Sequence, residues 1–140
     1  MIVRVAALCD YAQVRENLLT LASAGVTRAW RESYPARMEV MLALLIEISE
    51  VDAKMPHEVL VRVEDSDGGK IAEMTWAFQV GEIAELDPGE MLVVPGALDL
   101  RLVQLPKEGR YQVVVVPENA GEIPLSFRAG FASDRPAEHA

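Results

Sequence analysis

From residue 57 to residue 80 the chain reads HEVLVRVEDSDGGKIAEMTWAFQV, with apolar side chains at alternate positions on either side of one turn. Val59, Val61 and Val63 interleave with Glu58, Arg62 and Glu64; after the turn, Ala72, Met74, Trp76, Phe78 and Val80 interleave with Glu73, Thr75 and Gln79. A period of two puts one set on each face of a pleated strand, whereas a helix would scatter both sets around its axis. The intervening DSDGG supplies residues that tolerate the positive φ of a hairpin turn. This segment can bury one side only as a β-hairpin.

The same period organises the rest of the chain. In RMEVMLALLIEIS (37–49) the alternation runs from Met38 to Ile48, but Met41, Ala43 and Leu45 between are also apolar. Such a run suits a strand covered on both faces. Its Met, Leu, Ala and Glu would also suit a helix, but Pro35 ahead and strands behind favour the strand. MLVVPGALDLRLVQL (91–105) predicts one strand broken or bulged at Pro95-Gly96. GRYQVVVVPENAGEIPLSFRAGF (109–131) predicts a second hairpin, with Tyr111, Val113 and Val115 facing as Ile123, Leu125, Phe127, Ala129 and Phe131 do. Near the start, IVRVAAL (2–8) reads as a strand and DYAQVREN (10–17) as a polar turn. NLLTLA (17–22) and GVTRAW (25–30) read as a strand pair or one bent strand. About eight strands with short connections, and no helical crossover, predict an all-β antiparallel sandwich. It forms one domain over residues 1–131, followed by a frayed tail, ASDRPAEHA (132–140).

With 51% hydrophobic residues the chain can bury a real core. Its net charge of −9 is concentrated between residues 47 and 90, where acids far outnumber Lys54, Arg62 and Lys70. Such a band repels phosphate backbones, so the expectation is no nucleic acid. It serves either as a docking face for a basic partner or as a solvated surface. No apolar run reaches membrane-spanning length, and the opening MIVRVAALCDY is too short an apolar stretch for a signal peptide. A single cysteine fits a reducing compartment, so the expected location is cytoplasmic, with no membrane association.

Candidate chemistry is sparse. Cys9 would need a base, and the only histidines are His57 and the penultimate-position His139. Asp10 beside it would raise its pKa, and a buried, inert thiol is the expectation. EDSDGG (64–69) has Asp65 and Asp67 but lacks the terminal bidentate glutamate of a calcium loop. No metal or cofactor is implied. Trp30 with Arg28, Arg31 and Tyr34 forms the best candidate partner-binding patch, complementary in charge to the acidic band.

Three stretches together, ALCDYAQVRENLLTLASAGVTRAW, the hairpin at 57–80 and LPKEGRYQVVV, resemble a family of small bacterial proteins catalogued only as a domain of unknown function. The D-x-D-G turn and G-x-Y-x-V strand also resemble immunoglobulin-like sandwiches. The resemblance implies a fold and no activity. The functional expectation is a non-enzymatic binding or assembly module that takes a protein partner or self-associates as a homo-oligomer. A small-ligand carrier with an apolar pocket between the sheets is the alternative. A hydrolase or isomerase with an acidic cleft around His57 ranks after it.

Overall fold

Alternation becomes strands throughout. The computed structural model describes residues 1–81 and 85–137. Among them it has eleven strands, two 3-10 turns and no α-helix. The strands are β1 (Ile2–Arg15), β2 (Leu18–Ala24), β3 (Arg28–Arg31), β4 (Ala36–Arg37), β5 (Met41–Ile48), β6 (His57–Asp65), β7 (Lys70–Phe78), β8 (Leu92–Asp99), β9 (Gln104–Leu105), β10 (Gly109–Val116) and β11 (Ile123–Phe131). They form a four-stranded sheet ordered β2-β1-β5-β8, a five-stranded sheet ordered β3-β11-β10-β6-β7, and the small pair β4-β9. Pairing is antiparallel except between β3 and β11.

The two large sheets share one core. Leu42, Leu44, Ile46 and Ile48 of β5 pack with Val59, Val61 and Val63 of β6 and Val113 and Val115 of β10. Each such side chain, fully buried, contributes about 1.5–3 kcal/mol. The inward set of β7 comes out as its alternation requires: Ala72, Met74, Trp76 and Phe78, with Val80 beyond the strand, all pack on this core. Tyr111 stacks on Phe127 across the β10–β11 pair at 5.6 Å. Its hydroxyl donates to the Lys107 carbonyl, 2.6 Å away, anchoring the approach to β10.

The four-stranded sheet curls. β2 and β8 lie at its opposite edges, yet they come into contact. The concavity holds a second, smaller core of Cys9, Ala12, Met41 and Ala43, against which Leu19 and Ala97 pack. This explains why β5 is apolar on both sides, as a strand covered on two faces should be.

Three local expectations are corrected. DYAQVREN is not a turn: β1 continues to Arg15, and only Glu16 and Asn17 turn, at φ 51° and 59°. Two consecutive positive φ values are the signature of a tight hairpin turn; asparagine advertises this and glutamate does not. Tyr11, Gln13, Val14 and Arg15 are exposed because residues 11–15 pair only with β2 and project past the end of β5. Residues 17–30 are neither a strand pair nor one bent strand, since β2 pairs with β1 and β3 crosses to the other sheet. Finally, Pro95 and Gly96 interrupt nothing. β8 runs through them in register with Leu45 and Leu44 and ends at Asp99, with β9 separate. β8 is an edge strand, where a missing N–H can face solvent.

Candidate functional site

At one end of the five-stranded sheet the register sets Arg28 opposite Arg128 and Arg128 opposite Arg110. Ala29, Phe127, Ala129 and Tyr111 turn inward and are buried. Alternation therefore sends the three arginines to the outer face, where all are exposed. With strands about 4.8 Å apart, the row spans roughly 10 Å. Like charges directly opposite one another are destabilising, by roughly 0.2–1 kcal/mol per pair. Relief by a carboxylate would be easy in a chain with such an acid excess, yet it is missing. Among the described residues the ion pairs engage Arg4, His57, Arg62, Lys70 and Arg101, and none of the row.

The row lines an open pocket of about 640 Å³, together with Thr27, Gln112, Ser126 and the β6–β7 turn from Asp65 to Gly68. Asp65 is engaged by that turn: its Oδ1 accepts from the Asp67 and Gly69 N–H groups at 3.0 and 2.8 Å. Asx-turn chemistry thus accounts for the acidic motif. The Gln112 amide donates to Glu64 at 2.8 Å, and Arg28 Nη1 donates to the Thr27 carbonyl at 3.0 Å. Beyond that bond, the three guanidinium groups have no hydrogen-bond or ion-pair partner among the described residues. The arrangement suits binding an anion.

Of the four patch residues named from sequence, only Arg28 enters this row. Trp30 lies over Gly130, where an added Cβ would sit 2.9 Å from its ring. Arg31 donates to the carbonyls of Trp30, Arg37 and Met38 at 2.6–2.9 Å, tying β3 to β4. The Tyr34 hydroxyl donates to the Gly130 carbonyl at 2.6 Å, and its ring meets Phe131 edge-on. These three side chains brace β3 against β11. Arg110 and Arg128 were legible as outward-facing positions of their strands, but no local signal pairs them with Arg28.

Cys9 and His57 stand on different sheets. Cys9 is wholly buried in the smaller core, its thiol donating to the Met41 carbonyl at 3.6 Å. Burial pushes the thiol pKa up. In the folded protein Cys9 is expected to react with a thiol reagent at least about 100-fold more slowly than in denaturant. Stopped-flow absorbance with an aromatic disulfide measures this, and comparable rates would place the thiol at the surface. His57 is also buried, its Nδ1 2.9 Å from Glu118 and its Nε2 on the Asp52 carbonyl. His139 lies outside the described residues, as does Glu82 of the acidic band.

No curated protein and no solved structure matches the chain. The hairpin at 57–80 and all but the last three residues of the one at 109–131 fall within one continuous family match over residues 4–128, and the chain belongs to that family, a family of unknown function (DUF6941).

Proposed function

We propose that the protein is a non-enzymatic assembly module with an immunoglobulin-like plan, which self-associates through the free edge of β2. Strand order supports the plan. If β1, β5 and β8 stand for strands A, B and E, then β11, β10, β6 and β7 stand for G, F, C and C′ in the facing sheet. The Tyr111 hydroxyl reaching back to Lys107 matches the tyrosine corner at the start of strand F. The hairpin arm ending in β2 and the short β3 are additions to that plan.

The edge of β2 carries the functional reading. Sheet edges are normally protected by charge or proline. β3 carries Arg28 and Arg31, β7 carries Lys70 and Glu73, and β8 carries Pro95 and Asp99. β2, LLTLASA, has neither charge nor proline, and its Leu18 is 69% exposed. Tyr11, Val14 and Leu21 on the same arm are exposed too. A second copy fits this edge best. Antiparallel β2–β2 pairing about a twofold axis sets neutral residues against neutral residues, so the chain's acidity does not oppose it there. A reduced, cytoplasmic location agrees with the free Cys9 thiol.

Light scattering after size exclusion tests the reading. The wild type is expected at twice its 15.4 kDa mass, and Leu18→Lys with Thr20→Lys at the single-chain mass with unchanged circular dichroism. A monomeric wild type at about 100 μM, or a dimer untouched by both lysines, overturns it.

A further inference from the structure

We propose that the Arg28–Arg128–Arg110 row is a binding site for a small soluble ligand carrying two linked phosphoryl groups. The row sits on the five-stranded sheet, and β2 on the other, so this site and the assembly reading stand or fall separately.

Three observations carry it. First, register forces three guanidinium groups into adjacent cross-strand positions with no carboxylate between them. Sequences break a local rule of this kind mainly where function requires it. Second, the row lines a pocket of about 640 Å³, the size of small-molecule sites, with the Ser126 hydroxyl beside it as a further donor. Third, the charge surroundings limit what can enter. Asp65 and Asp67 form one lip, and the chain as a whole carries −9. A long polyanion would meet that repulsion along most of its length, while a short one meets only the arginines.

Phosphate is favoured over carboxylate by the geometry of the donors. One bidentate guanidinium saturates a carboxylate, whereas a phosphoryl group has oxygens left for a second fork. With three forks spaced by single strand separations, two linked phosphoryl groups can each bridge a neighbouring pair. The middle residue, Arg128, takes part in both bridges.

Inorganic pyrophosphate is the probe. Calorimetric titration of the full chain at constant ionic strength is expected to show one site, weakened at least about tenfold by Arg128→Gln and by Arg110→Gln. Arg15→Gln, on the remote β1–β2 arm, is expected to bind as wild type does. Thermal melts give a readout independent of heat. Without ligand, Arg128→Gln is expected to melt no lower than wild type, because it relieves two like-charge contacts. Pyrophosphate is expected to raise the wild-type midpoint and leave that variant unmoved. The site is overturned if pyrophosphate binds the glutamine variants as well as wild type or fails to bind at millimolar concentration. Equal binding of citrate overturns the phosphate assignment, and tighter binding of a single-stranded oligonucleotide overturns the small-ligand assignment.

Discussion

Gly96→Ala is expected to lower the unfolding free energy by about 1–3 kcal/mol, and Gly96→Val by more. Gly96 lies on β8, at the edge of the four-stranded sheet, and Trp76 on β7, at the edge of the facing one. The indole lies directly on the glycine: an added Cβ would stand 2.7 Å from two of its ring carbons. Nor can the ring slide away freely, since Phe78 packs against it with centroids 4.7 Å apart. Glycine thus lets the two sheets close at this end, and any larger residue must prise the indole out. Urea unfolding followed by tryptophan fluorescence reads both the loss and a red shift of Trp76. In a Trp76→Leu background the Gly96→Ala cost should fall to less than about 0.5 kcal/mol, the mark of a coupled pair. Equal costs in both backgrounds would place the strain elsewhere.

His57→Ala is expected to cost about 2–4 kcal/mol near pH 6, through two hydrogen bonds to the charged ring and its packing on Phe78. Both ring nitrogens face acceptors, and a neutral imidazole has only one N–H to offer. The Glu118 carboxylate, then the Asp52 carbonyl, raise the His57 pKa above its ordinary 6.5, with burial opposing. His57 in turn holds Glu118 below its ordinary 4.5, helped by the Glu58 N–H. The histidine contribution is therefore complete below 6.5 and lost as pH rises through the raised value. The glutamate contribution is complete above 4.5 and lost as pH falls through the lowered one. The clamp is strongest between those two ordinary values. Denaturant midpoints across pH 4–9 should show the wild-type advantage over Glu118→Gln shrinking on the alkaline side. An advantage that stays flat there would mean the ring is neutral in the folded protein.

Much of the fold was legible because burial on one face writes itself locally, as a period of two. The hairpins at 57–80 and 109–131 emerged with the inward faces the alternation requires, and β5 is apolar on both sides because two cores meet there. What misled was chemistry shared between roles. DYAQVREN is mostly polar because an arm projects into solvent, with only Ala12 buried, not because the backbone turns there. Pro95 marked a break because proline lacks an N–H, but on an edge strand that donor is not needed.

The candidate site divides along the same line. Sequence alone determined that Arg110 and Arg128 would stand outward on their strands, since each neighbours an inward apolar residue, and it marked Arg28 only as part of a candidate patch. Only the tertiary structure decided that they stand side by side. Neighbourhood in a sheet is set by pairing between distant segments, here the parallel crossing of β3 onto β11 and the register of β11 with β10. Alternation is a property of one strand, whereas a row of charges belongs to three.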